Sequence, residues 1–283
     1  MKMKIAIIGA GTMGIGITQV VISAGYEAVL ISEHEASLLA GIERLKSNMD
    51  KAIAKGKMTE EQKKACLGRL RSSSSISDVA GAEIVIEAVT EDPKIKQSVL
   101  SQAEKHLDRD AIIASNTSSI SIATLADALS EPSRFLGLHF FNPAPVMGVI
   151  EVVRGKKTSD GPMKNAIAFA KSLGKTPVEV KDSPGFISNR ILMAYLNESI
   201  NALDQGVASK ESIDTIAKLG FNHPMGPIEL ADFIGLDVCM DIMDAIYLQS
   251  NDAKFKPSPL LVKMVKEGRL GRKNKKGFYD YAA

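Results

Sequence analysis

The chain has 283 residues, 45% of them apolar, and carries 35 Lys and Arg against 33 Asp and Glu, a formal charge of +2. That length suits two domains, the apolar share excludes a disordered polymer, and the near balance of charge gives no bulk attraction to nucleic acid or a membrane surface. The two cysteines, Cys66 and Cys239, stand far apart without a CxxC partner, which fits a reducing, cytoplasmic setting, and no His, Cys, Asp and Glu spacing suggests a metal site.

Residues 4–8 form a β-branched run that stops at Gly9 and leads directly from the first residues, with no secretory signal ahead of it. A helical pattern over 12–24 ends at Gly25, and 28–31 is a second apolar run, so the order is strand, glycine turn, helix, strand. Helical stretches over 35–55 and 59–70 follow, separated by Gly56, the second opened by Thr59 with Glu60, Glu61 and Gln62 as a helix start. Short buried-strand runs at 84–86 and 111–113 flank a helix over 93–106. Strands at 135–138 and 149–153, a helix at 163–173 and a strand at 178–180 complete an alternating series. The expected fold is α/β, a Rossmann-type, doubly wound, mostly parallel sheet.

After Asp182 the signals turn almost wholly helical: 186–203, opened by Pro184 and Gly185, then 209–219, 227–233, 236–247 and 258–267. The expected division is a dinucleotide-binding domain, 1–182, and an all-helical domain for substrate and dimerisation, 183–283. The basic run 269–276 reads as a solvated loop, and no apolar run reaches membrane-spanning length.

Gly9-Ala10-Gly11-Thr12-Met13-Gly14 is a GxGxxG where a strand gives way to a helix. Gly9 permits the tight turn, Gly11 admits a pyrophosphate to the backbone, Gly14 lets helix and strand pack, and the helix start offers N–H groups to the anion. A ribose-binding acid is expected at the end of the second strand. This chain has Ser32 there and Glu33 one residue later, and the next basic residue is Arg44. Glu33 reaches the ribose if it lies just past the strand. If it points away, Ser32 leaves room for a 2′-phosphate. The reading favours NAD and leaves NADP open.

Ser115-Asn116-Thr117-Ser118-Ser119 and His139-Phe140-Phe141-Asn142-Pro143 each follow a strand, Glu151 lies in the next strand, and Asn189 lies in the helix after Pro184. Oxidising a secondary alcohol needs a base and a hydride acceptor, and histidine is the natural base near neutral pH. His139 would take the hydroxyl proton, Glu151 would orient the ring, and Ser118 and Asn189 would bond the substrate oxygens. Plainer readings stand beside these: Glu151 as an edge charge, Ser118 as the cap of a helix over 120–129, Asn116 as a turn residue. His34 and His106 read as surface side chains and His223 as part of a loop. Lys51 and Lys55, four apart on one helix, read as a solvated face or as a grip on phosphates.

Taken together, the glycine turn, Asn116-Thr117-Ser118-Ser119, His139-Phe140-Phe141-Asn142-Pro143, Pro184-Gly185-Phe186 with Asn189-Arg190, His223-Pro224-Met225-Gly226-Pro227 and Gly271-Arg272-Lys273…Gly277-Phe278-Tyr279 resemble the 3-hydroxyacyl-CoA dehydrogenases over nearly the whole chain. The length is similar to that of the short single-function bacterial members. The resemblance implies an NAD(P)-linked oxidoreductase of fatty-acid or butanoate metabolism that interconverts a 3-hydroxyacyl-CoA, of the 3-hydroxybutyryl-CoA kind, and its 3-oxo partner. It implies His139, Glu151, Ser118 and Asn189 as catalytic, and Gly9, Gly11, Thr12, Met13, Gly14, Ser32, Glu33, Glu91, Lys96, Asn116, Ser118 and Asn142 as cofactor contacts. It also implies a homodimer built on the C-terminal domain. Ser32 departs from the Asp usual in the family. A two-domain sugar-acid dehydrogenase and a non-catalytic dinucleotide-binding protein are the competing readings.

Overall fold

The computed structural model describes residues 3–281 and divides into two compact units after Asp182. The first is built on one eight-stranded sheet. In chain order its elements are β1 (Lys4–Ile8), α1 (Thr12–Ser23), β2 (Glu27–Ile31), α2 (Glu35–Ala54), α3 (Glu60–Leu67), β3 (Leu70–Ser73), β4 (Ile84–Glu87), α4 (Pro93–Glu104), β5 (Ile112–Ser115), α5 (Ile122–Ala126), β6 (Phe135–Phe140), β7 (Val149–Arg154), α6 (Asp160–Ser172) and β8 (Thr176–Lys181). The strand order is β3-β2-β1-β4-β5-β6-β7-β8. Every neighbouring pair is parallel except β6 with β7.

The sequence of β1 explains its central place. Side chains alternate across a strand, and here Ile5 and Ile7 enter one apolar cluster with Leu30, Ile86 and Leu138. Ala6 and Ile8 enter a second with Val29, Val85 and Ala103 on the other face. A strand buried on both faces needs an unbroken apolar run, and residues 5–8 supply it. After β1 the chain builds outward through β2 and β3, then returns to β4 on the other side of β1. The order therefore reverses between β1 and β4, and the carboxyl ends of strands at such a reversal are where ligands bind in open α/β sheets.

Three local expectations are corrected. The helix expected over 59–70 stops at Leu67, and Leu70–Ser73 forms β3, a parallel edge strand beside β2. Its sequence, LRSS, has a single apolar residue and none of the four is fully buried, so no period-2 signal marks it. Ser118 does not cap the helix expected over 120–129. That helix is only Ile122–Ala126, and Ser121 caps it through the Thr124 amide. The helix expected over 209–219 ends as an α-helix at Thr215 and continues as a π-turn, Ile216–Gly220. Thr59 and Gln62 do form the reciprocal capping box.

The second unit, described by itself, consists of α7 (Ser188–Asp204), α8 (Lys210–Thr215), α9 (Pro227–Ile234), α10 (Leu236–Ser250) and α11 (Pro259–Lys266). They close around Met193, Leu196, Ile200, Ile228, Leu236, Met243, Ile246 and Phe255. Two buried carboxylates organise its polar interior. Asp214 accepts the amides of Ile228 and Glu229, at 2.8 and 3.1 Å, and so caps α9, whose own N-cap is a glycine. Asp232 accepts the Phe278 and Tyr279 amides, both at 2.9 Å, and the Tyr281 hydroxyl at 3.1 Å. Tyr279 donates its hydroxyl to Asp214 at 2.8 Å. The closing Gly277-Phe278-Tyr279 segment thus locks two helices through their acids. Among the described residues no helix is long and apolar enough to cross a membrane.

A side chain at Gly277 would enter that lock, because a Cβ there would lie 2.0 Å from Asp232 Oδ1. Gly277→Ala is expected to destabilise the protein by about 1–3 kcal/mol, the usual cost of overpacking. Gly161→Ala, whose Cβ would meet nothing within 4 Å, should cost nothing by the same thermal unfolding measurement.

Candidate active site

The glycine turn leaves β1 at the point where the strand order reverses. Gly9 has φ 116°, and a Cβ on it would lie 2.5 Å from the Ala88 carbonyl oxygen. A Cβ on Gly14 would lie 1.8 Å from the Gly9 carbonyl oxygen, so α1 can pack on β1 only without one. Gly11 differs, since a Cβ there would meet no protein atom within 4 Å. Nothing in the protein itself demands glycine at that position, which leaves the demand to a group lying over the turn. Thr12 and Met13 open α1 with first-turn amides that have no intrahelical carbonyl to bond, no side-chain cap and no acid in the first turn. These features fit a pyrophosphate, so the residues present suit a dinucleotide.

Beside the turn, the ends of β2, β4 and β5 carry the remaining polar residues. Ser32 is the first residue past β2 and is half-buried, while Glu33 is exposed. Arg44, in α2, reaches back so that its Nη2 donates to the Ala10 carbonyl at 2.8 Å. Glu87 ends β4 and has no exposed surface, and its position is explained by its partners. Its Oε1 accepts the Lys96 ammonium at 2.8 Å and the Val89 amide at 2.6 Å, and its Oε2 accepts the Ser115 hydroxyl at 2.6 Å.

Lys96, 1% exposed, also lies 3.0 Å from Glu91 Oε2. Glu91 Oε1 in turn accepts the Thr117 hydroxyl and the amides of Ser118 and Ser119, the last two at 3.0 and 3.2 Å. Burial works against ionisation of Glu91, but the Lys96 ammonium, the Thr117 hydroxyl and the Ser118 amide together hold its carboxyl below its ordinary value. The loop over 115–119 is thus gripped from below by Glu87 through Ser115 and from the side by Glu91. Glu87, Ser115 and Thr117 were not among the expected site residues. The available signal was a lone acid closing an apolar strand, Ile84–Glu87, with a lysine on the helix that follows.

His139 and Glu151 meet across the one antiparallel junction of the sheet. Register pairs them directly, so their side chains share a face. His139 Nδ1 lies 2.6 Å from Glu151 Oε2, and both residues are buried. An ionised carboxylate can only accept, so Nδ1 carries the proton of the neutral ring and Nε2 is left with its lone pair. Nε2 faces the Ser118 hydroxyl at 3.1 Å. Asn116 accepts the Phe140 amide at 2.9 Å through Oδ1, which ties the 115–119 loop to β6, and the Phe141 ring leans on the imidazole, 4.8 Å between centroids.

Of the other expected residues, Asn142 is exposed beyond β6 and forms a cis peptide with Pro143. Asn189 is half-buried in the first turn of α7, in the second unit. Lys51 and Lys55 are exposed at the end of α2. His34, His106 and His223 are exposed, and Cys66 and Cys239 are buried and free. Burial pushes the Cys239 thiol up to about 12. Among the described residues no group of His, Cys, Asp and Glu could hold a metal ion.

The 3-hydroxyacyl-CoA dehydrogenase NAD-binding domain model matches residues 4–183, and the C-terminal domain model of the same family matches 185–281. The chain is 46% identical, over 99% of its length and all of the relative's, to a probable 3-hydroxybutyryl-CoA dehydrogenase of Deinococcus radiodurans. It is 43% identical to the 3-hydroxybutyryl-CoA dehydrogenase of Clostridioides difficile over 99% of each. The crystal structure of (S)-3-hydroxybutyryl-CoA dehydrogenase PaaH1 from Ralstonia eutropha superposes with a TM-score of 0.96 at 44% identity, covering all of both chains. The chain belongs to the 3-hydroxyacyl-CoA dehydrogenase family. It is an NAD-dependent oxidoreductase acting on a CH–OH group.

Lys96 lies between two carboxylates, and removing it leaves Glu87 sealed from water without its ammonium partner. Lys96→Met is expected to lower the unfolding free energy by about 3–5 kcal/mol, read from urea denaturation near pH 7. The stability that Glu91 contributes is present above its ordinary value of 4.5 and is lost as the pH falls through its lowered one.

Proposed function

We propose that the chain interconverts (3S)-3-hydroxybutyryl-CoA and acetoacetyl-CoA with NAD, His139 acting as general base in oxidation and general acid in reduction. The observation that carries this reading is the line Glu151–His139–Ser118, at 2.6 and 3.1 Å, beside the loop that follows β5. In oxidation the 3-hydroxyl takes its place against His139 Nε2 and gives up its proton there. The charge arising on the ring is stabilised by Glu151, which also fixes the tautomer. Ser118 donates to the oxygen that loses the proton. NAD, when bound, accepts the hydride released from C3, and in reduction NADH supplies it.

The cofactor contacts in this reading are Gly9, Gly11, Thr12, Met13 and Gly14 at the pyrophosphate, and Ser32 and Glu33 toward the ribose. Glu91, Lys96, Asn116, Ser118 and Asn142 line the nicotinamide side. Lys51 and Lys55, exposed on α2, supply cations for the phosphates of the thioester tail. The exposed apolar side chains of the helical unit, including Ile191, Leu219, Phe233 and Leu248, support a homodimer formed through it. The buried free thiols suit the cytoplasm. Membership of the family weighs against the sugar-acid and non-catalytic readings.

His139→Ala is expected to lower kcat for acetoacetyl-CoA reduction at least about 100-fold, within the usual range for a positioned general acid. NADH affinity, measured by fluorescence titration, should scarcely move, and near-normal turnover in the folded variant would sink the mechanism. Glu151→Gln keeps the shape and removes the charge. It should cost about tenfold or more in kcat, the worth of a hydrogen bond to a charged group, with KM for acetoacetyl-CoA changing far less. An unchanged kcat would reduce Glu151 to a structural residue.

A further inference from the structure

The adenosine end of the cofactor site holds a charge that the reaction does not use. Ser32, past the end of β2, offers no carboxylate to the ribose and no repulsion to a phosphate on it. The Gly9 amide donates to the Ile31 carbonyl at 2.8 Å, so the glycine turn and the end of β2 are neighbours. α2 packs on the same turn, since a Cβ on Gly41 would lie 3.0 Å from the Ala10 carbonyl oxygen. One turn further along α2, Arg44 fastens one of its nitrogens, Nη2, to that carbonyl.

That hydrogen bond fixes the guanidinium beside the turn, where a flexible surface arginine would otherwise roam. An arginine presents five N–H donors in a planar fork, so one bond to Ala10 leaves donors for a second, anionic partner. The acid next to it in sequence, Glu43, is engaged by Lys46 at 2.7 Å. The remaining acids where β2 leads into α2 are Glu33 and Glu35, both exposed. In dinucleotide-binding folds an acid at the end of the second strand selects a free 2′-hydroxyl, and an arginine nearby accommodates a 2′-phosphate.

We propose that Arg44 is the phosphate-binding residue for the ribose 2′-phosphate of NADP(H), so that this chain uses the phosphorylated cofactor alongside NAD(H). The inference rests on the dinucleotide reading above and assigns its cofactor selectivity. Ser32 creates the room, Arg44 supplies the cation, and Glu33 keeps the unphosphorylated cofactor bound through its hydroxyls.

The test uses the whole protein and three adenosine probes, 5′-AMP, 2′,5′-ADP and 3′,5′-ADP, titrated by calorimetry into the natural chain, Arg44→Gln and Ser32→Asp. Losing a charge-assisted contact to phosphate should cost Arg44→Gln about tenfold or more in affinity for 2′,5′-ADP, with a much smaller change for 5′-AMP. Ser32→Asp, which leaves Arg44 in place, should also weaken 2′,5′-ADP selectively, and both variants should lower the ratio of kcat/KM for NADPH to that for NADH. Selective loss of 3′,5′-ADP in Arg44→Gln would assign the guanidinium to the thioester tail and overturn the proposal. So would retained NADH binding with an unmoved NADPH to NADH ratio in both variants. Failure of the natural chain to bind NADH at all would overturn the dinucleotide reading along with it.

Discussion

A carboxylate with no exposed surface and an ammonium with almost none face each other at the end of β4, and much of the site is arranged around them. Glu87 and Lys96 would each be costly alone in a dry interior. Together, with Ser115, Val89 and Glu91 taking up the remaining hydrogen-bonding capacity, they tie three pieces of chain: the end of β4, the first turn of α4 and the loop after β5. That loop carries Ser118, whose hydroxyl lies against His139. A network buried and satisfied in this way resists small displacements, because any movement strands a charge.

The second arm of the site has a different origin. His139 and Glu151 are held by backbone pairing between β6 and β7, the only antiparallel junction in the sheet. A cross-strand pair needs no long side chain or loop to meet, so its geometry follows from register. One half of the centre is therefore set by ion pairing at the carboxyl end of β4 and the other by the strand ladder, and the two halves join where Asn116 takes the Phe140 amide.

Elements with an apolar period were legible in the sequence, and elements that lack one were not. β1, β2, β4 and β6 announce themselves because both faces are buried. β3 does not, because LRSS at a sheet edge buries little. The meeting of His139 with Glu151 could be anticipated, since a single acid inside Val149–Arg154 requires a partner. Glu87 was overlooked although it poses the same problem, because it ends its strand and could have faced water. Arg44 lies well past the end of β2 along the chain, so the sequence makes no phosphate clamp obvious. The relevant distance is spatial, and only the packing of α2 at Gly41 against the glycine turn brings it back.

The lock around Asp232 and Asp214 has a consequence for the order in which the helical unit is completed. Both acids belong to helices in the middle of that unit; Asp214 takes two amides from α9 and one hydroxyl from Tyr279, while the two amides and the Tyr281 hydroxyl that Asp232 accepts come from residues 278–281. During synthesis on the ribosome, α8 and α9 emerge long before those closing residues. Until residues 278–281 have cleared the exit tunnel, the Asp232 carboxylate, destined for the interior, must stay hydrated, although α8 and α9 can already be joined through Asp214. Final packing around Asp232 is thereby deferred until that closing segment is available.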